Sequence, residues 1–312
     1  MVKIITKRGK KALTVLAVIL GIIVCLNIAG LAINKIFFSH ELEAVSPYGQ
    51  LVEINGRQKM HVYSMGSGGK TVVLLPGLGV SLPSADFGPL MRELSKENTV
   101  VCLEYFGIGF SDPTDTPRTN ENYIREIRAA LSAAGYKPPY VLMPHSASGI
   151  YSEYYAAKYP DEVSAIIMLD TTSTAKTEAK NLPEFTYEIG KLQQACGMTR
   201  LVNSLVTPAQ KAENGYTVKE INDYRMFTNH VLNNTIIDQS MRTLDNINEV
   251  SAIAFPQGIP VLKLISSQAV EKTGKEYQTG HLNRLGSNVE SKVIDGTHFF
   301  YQTNIANICG VK

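Results

Sequence analysis

Six short runs dominated by apolar residues constrain this chain more than any other feature: TVVLLPG from Thr71, TVVCLEY from Thr99, YVLMPHS from Tyr140, VSAIIMLD from Val163, IPVLKLISS from Ile259 and ESKVIDG from Glu290. Strands with successive apolar residues bury both faces, which is the habit of parallel sheets covered by helices. Helical stretches lie between the runs. NYIREIRAALSAAG spaces its apolar residues by three and four and stops at Gly135, and GIYSEYYAAKYP is closed by Pro160. The alternation predicts an α/β fold, a mostly parallel sheet with helices on both faces. Ahead of it, LVEING and RQKMHVYSMG flank Asn55-Gly56 and read as an antiparallel hairpin.

The alternation fails once, between Thr171 and Gly258. A connection of that length is not a plain loop in a compact domain. Its periodic segments EFTYEIGKLQQA, PAQKAE, VKEINDYRMFTNHVL and DQSMRTLDNI predict a helical cap inserted between two parts of the core.

The N-terminus carries a different signal. Lys3, Lys7, Arg8, Lys10 and Lys11 precede an uncharged apolar run from Ala12 to Ile33. As a helix those residues span about 33 Å, enough to cross a bilayer and longer than the usual apolar region of a cleavable signal peptide. The run therefore reads as a retained anchor, and the basic cluster before it predicts a cytoplasmic N-terminus with the remaining chain on the outer face of the cell membrane. The expected division is a basic N-terminus (1–11), a transmembrane helix (12–33), a linker (34–47), a first core part (48–170), the cap (171–258) and a second core part (259–312).

A formal net charge of +2, with basic residues crowded at the N-terminus, argues against a nucleic-acid-binding surface. Cys25, Cys102, Cys196 and Cys309 are widely separated and lack the spacing of a zinc site or a disulfide framework. No motif calls for a metal or an organic cofactor.

The chemistry concentrates at four strand ends. Tyr140-Val-Leu-Met-Pro-His-Ser-Ala-Ser-Gly149 places Ser146 where a strand turns sharply into a helix, the geometry that projects a serine hydroxyl above a sheet edge. The usual G-x-S-x-G pattern has Pro144 and Ser148 at its flanking positions here, and Pro144 removes a backbone donor. Taken alone, Ser146 could instead merely cap the following helix. Leu75-Pro76-Gly77-Leu78-Gly79 follows one strand, Glu104 to Asp112 follows the next, and Asp295-Gly296-Thr297-His298 follows the last.

With these segments in place, the chain from about Val72 onward resembles the α/β-hydrolase family, particularly its capped serine esterase and peptidase-like members. The resemblance implies Ser146 as nucleophile, His298 as base, and an oxyanion hole from the N–H groups of Leu78 and Ala147. The acid is open. Where the family usually carries aspartate after the strand ending near Ile265, this chain reads Ser266-Ser267-Gln268-Ala269-Val270, with Glu271 as the first carboxylate. Some relatives place the acid at the end of the strand after the nucleophile helix, which here is Asp170.

The expected function is that of a membrane-anchored serine hydrolase acting on small-molecule or lipid carboxylic esters by a Ser-His-Asp acyl-enzyme route. Two alternatives share the sequence: a non-catalytic binding or sensory domain of the same fold, and an acyltransferase using the same site. The substrate and the oligomeric state are not encoded in any motif.

Overall fold

The computed structural model describes residues 7–206 and 208–310; residues 1–6 of the basic N-terminus lie outside the described residues. The first element, α1 (Lys7–Phe37), is a 31-residue helix. By length and composition it is apolar enough to cross a membrane.

Then come β1 (Gln50–Ile54), β2 (Gln58–Met65), β3 (Thr71–Leu75), α2 (Pro83–Asp86), α3 (Gly88–Leu94), β4 (Thr99–Glu104), α4 (Asn120–Ala133), β5 (Tyr140–Pro144), α5 (Ser148–Lys158) and β6 (Val163–Leu169). Between β6 and the next strand run α6 (Glu184–Ala195), α7 (Met198–Leu205), α8 (Val218–Thr228) and α9 (Asn234–Ser251). The chain closes with β7 (Val261–Ser266), α10 (Ser267–Leu285), β8 (Val289–Ile294) and α11 (Ile305–Cys309).

The eight strands form one sheet in the order β1-β2-β4-β3-β5-β6-β7-β8. Only β2 runs antiparallel to its neighbours, β1 and β4; the other pairs are parallel. The hairpin turns through Asn55 and Gly56, both with positive φ, the backbone that tight hairpin loops require.

The unalternating runs have a direct packing reason. Val73 and Leu75 point into a core shared with Tyr123, Ile127, Ile150 and Val250. Their neighbours Val72 and Leu74 point into a second core with Phe87, Leu90, Tyr301 and Ile308. Helices thus cover both faces at the centre of the sheet, so β3, β4 and β5 bury nearly every side chain, whereas the last strand, β8, read from its apolar run as buried on both faces, lies at the edge and stays largely exposed. Each such burial contributes about 1.5–3 kcal/mol for a valine- or leucine-sized group.

The helices between β6 and β7 differ in their attachment. Helix α9 enters the main core through Ile236, Ile247 and Val250. Helices α6 and α7 bury no residue fully.

Candidate active site

Ser146 stands at the junction of β5 and α5 with φ +51, a left-handed backbone unusual for a side-chain-bearing residue. Such a conformation costs about 1–3 kcal/mol and persists only where surrounding bonds fix it. Here they do: His145 N–H donates to Leu75 O (2.9 Å), Ser146 N–H to Leu169 O (3.2 Å), and Thr172 N–H to Ser146 O (3.1 Å). Two glycines allow the close approach. A Cβ on Gly77 would sit 2.7 Å from His145 Nδ1 and 2.8 Å from Ser146 Cβ, and one on Gly149 would sit 2.6 Å from Thr171 Cβ.

The two departures from the usual elbow pattern are accommodated locally. Ser148 is fully buried, and its hydroxyl lies 2.5 Å from Pro76 O, to which it donates, and 2.8 Å from the Tyr105 hydroxyl. Pro144 falls where the ladder between β5 and β6 lapses, after the Leu142–Ile166 pair and before the His145–Leu169 bridge. On the other side Pro144 pairs with Leu75 of β3, whose carbonyl accepts from the next residue, His145 (2.9 Å), so that ladder draws no donor from Pro144.

Across the edge of the sheet, Asp170 directly follows β6 with φ +45. Its carboxylate accepts the Ser266 N–H (2.9 Å), the Ser266 hydroxyl (2.8 Å) and His298 Nδ1–H (2.7 Å). Burial would raise this carboxyl, but the bonds from His298 and Ser266 outweigh it and hold Asp170 below the ordinary carboxylate range. With Nδ1 donating to Asp170, the other nitrogen of His298, Nε2, is the one that can accept a proton. The loop bearing His298 is tied to the start of α10: Gly296 N–H donates to Ser267 Oγ (3.0 Å), Gln268 N–H to Gly296 O (3.2 Å) and His298 N–H to Gln268 Oε1 (3.2 Å).

Glu271 is not part of this arrangement. It lies exposed on α10 and makes no hydrogen bond to His298. His145 is buried behind the elbow, and its Nε2–H donates to the carbonyl of His298 (3.1 Å). Burial first, and the adjacent imidazole of His298 second, push His145 down to about 3, so it stays neutral and serves as a brace.

The N–H groups of Leu78 and Ala147 flank the elbow, and among the described residues neither donates to a protein acceptor. Ser146 is partly exposed, and its hydroxyl makes no hydrogen bond to His298.

Sequence reasoning gave no role to Ser266, although it supplies two of the three bonds to Asp170. It also passed over a charged cluster beneath the site. His281 on α10 bridges Lys263 Nζ of β7 (2.5 Å) and Glu153 of α5 (2.7 Å), and Glu153 also accepts the Thr174 hydroxyl (2.5 Å). Lys263 is wholly buried, and that burial pulls its ammonium down to about 8. No group of histidine, cysteine and acidic residues among the described residues could hold a metal ion.

Comparison with known proteins bears on this geometry. A family model described as the alpha/beta hydrolase fold matches residues 70–210. An uncharacterized Bacillus subtilis protein, YbdG, is 33% identical over 211 residues, which cover 67% of this chain and 57% of that protein. The 2-(acetamidomethylene)succinate hydrolase of Mesorhizobium japonicum is 33% identical over 126 residues, or 40% of this chain and 43% of that enzyme. The chain thus spans about half the length of these curated relatives. Among solved structures, Cfl2 from Burkholderia cenocepacia superimposes with a TM-score of 0.67 at 17% identity, covering 84% of this chain and 93% of its own.

Proposed function

Because the chain is an α/β-hydrolase-fold protein, we propose that it is a serine hydrolase acting on carboxylic esters from a membrane-anchored position. The observation that carries the reading is the 2.7 Å bond from His298 Nδ1–H to Asp170, made at the sheet edge where Ser146 occupies the strained elbow. Ser146 Oγ attacks the acyl carbonyl while His298 Nε2 takes the hydroxyl proton. Asp170 holds the imidazole in the required tautomer and stabilises the imidazolium. The negative charge formed on the carbonyl oxygen is met by the N–H groups of Leu78 and Ala147, which have no competing acceptor among the described residues. His298 then returns the proton to the departing alcohol, and water, activated by the same imidazole, releases the acid. A relative named as a hydrolase agrees with this class of reaction.

The length and composition of α1 support the anchor. With the basic cluster on the cytoplasmic side, the hydrolase body lies outside. An anchored enzyme meets lipid esters as readily as soluble ones, so both belong to the substrate class.

One observation favours a second reading, a binding domain without turnover: Ser146 and His298 are not hydrogen-bonded. A fluorophosphonate probe separates the two. Labelling of the full chain in detergent that disappears in Ser146→Ala supports the hydrolase. A folded wild-type chain that resists the probe supports the binding domain. Rates on p-nitrophenyl esters of increasing acyl length then define the substrate.

A further inference from the structure

We infer that α6 and α7 are a second membrane-contacting element, lying in the lipid interface beside α1 with their apolar faces in the acyl region. The inference rests on the reading of α1 as a membrane span.

The two helices are amphipathic in the wrong sense for a soluble protein. In α6, Phe185, Ile189 and Leu192 follow one another at spacings of four and three and are all exposed. In α7, Leu201, Val202 and Leu205 are exposed likewise, Leu205 at 80%. Glu184, Thr186, Glu188 and Gln193 of α6 are exposed as well, but other polar side chains of the two helices turn to the body. Lys191 donates to Asn234 (2.7 Å) and Gln194 Nε2–H to Leu232 O (2.9 Å). Arg200 pairs with Glu41 (2.6 Å), and Asn203 donates to Asn229 (3.0 Å). A surface helix ordinarily buries its apolar stripe and hydrates the other. Here the stripe is outermost, and contiguous exposed apolar surface of this kind marks an interaction face.

Its position beside α1 selects lipid as the occupant. Asn34 on the last turns of α1 donates to Ala195 O (3.2 Å), and Gly30 packs so closely on Cys196 that a Cβ would lie 2.4 Å from the Cys196 carbonyl oxygen. The α6–α7 junction is therefore fastened to the membrane helix itself. Gly30 precedes Lys35, the first charge after the apolar run, by five residues, about 7.5 Å along a helix. That is the depth, about 5–10 Å, at which interfacial helices embed their apolar side. A second copy or a soluble partner would have to compete with the bilayer for a face already held at its surface.

The chain contains no tryptophan, so a single introduced indole reports alone. The full chain is reconstituted in phosphatidylcholine nanodiscs as Phe185→Trp, Leu205→Trp or, in the middle of α1, Ile22→Trp. Phe185→Trp exchanges one exposed aromatic for another and Leu205→Trp alters the most exposed of these positions, so neither disturbs packing. Both cap probes are expected to emit blue-shifted and to lose more intensity to bromines high on the acyl chain than to bromines near its end. Ile22→Trp shows the reverse order. If Ile22→Trp is quenched by bromolipid while the cap probes respond only to aqueous iodide, the interfacial placement is overturned and the anchor stands. Cap probes shielded from both quenchers overturn it too, because protein then covers the face. An Ile22→Trp signal open to iodide overturns both readings.

Discussion

Asp170→Asn tests the reasoning at its most structured point. The carboxylate offers two acceptor oxygens to three donors, the Ser266 N–H and hydroxyl and His298 Nδ1–H. Asparagine keeps the shape but has one acceptor. If its oxygen stays on the Ser266 N–H, the amide nitrogen faces His298 and draws the imidazole into the tautomer protonated at Nε2. That nitrogen then has no lone pair for the Ser146 proton. If the amide turns its oxygen to His298, two donors meet at Ser266, and a buried donor left unmatched costs about 1–3 kcal/mol. Either outcome depletes the active tautomer, and kcat/KM should fall by roughly 10² to 10⁴, about 3–5 kcal/mol of transition-state stabilisation. The assay is steady-state hydrolysis of a p-nitrophenyl ester by the full chain in nanodiscs, with thermal unfolding as the check on fold. Glu271→Gln, on the exposed face of α10, should leave the rate unchanged. Adding Asp170→Asn to His298→Ala should cost far less than the product of the single losses, because the pair acts as a unit. A silent Asp170→Asn with a crippled Glu271→Gln would refute the assignment and move the role to Glu271. Two silent changes in an enzyme still dependent on Ser146 and His298 would mean a dyad working without a carboxylate.

Gly77→Ala puts a methyl 2.7–2.8 Å from His145 and Ser146, so probe labelling should slow sharply and stability fall by about 1–3 kcal/mol. Gly258→Ala, where a Cβ meets nothing within 4 Å, is the silent control for both measurements. Asp86 is buried under bonds from Tyr301, Gln210 and Gln302, and burial lifts its carboxyl from an ordinary 3.8 to about 6. A carboxyl raised on folding holds its proton in the native state after the unfolded chain has lost it, so stability from this group is full below pH 4 and declines up to about pH 6. Denaturant titration of wild type and Asp86→Asn should therefore show the variant gaining on wild type by roughly 3 kcal/mol across that window; a difference independent of pH would sink the assignment. A reporter fused after Lys312 should work only if it requires the outer compartment, and activity of a cytoplasm-only reporter there would reverse the topology.

The fold was legible because strand burial leaves its mark on consecutive residues: Val72 and Leu74 serve one core, Val73 and Leu75 the other. The order of Ser146, Asp170 and His298 was legible because each follows a readable strand. Their partners were not, since partnership across a parallel sheet depends on register. Asp170 N–H donates to Leu264 O, which brings Ser266, two residues further along β7, against the carboxylate. Nothing in the local sequence of either strand specifies that offset. The same holds for Lys263, a lone cation inside an apolar strand whose compensating His281 and Glu153 come from α10 and α5. Amphipathic periodicity has a comparable blind spot. Spacing alone identifies the stripe of Leu201, Val202 and Leu205 but leaves open which side the protein body occupies. That choice is made by Arg200 and Asn203, whose partners Glu41 and Asn229 lie on other elements. Once those polar bonds hold α7 to the body, its apolar side is turned to the surroundings, which is the arrangement that the proposed interfacial placement requires.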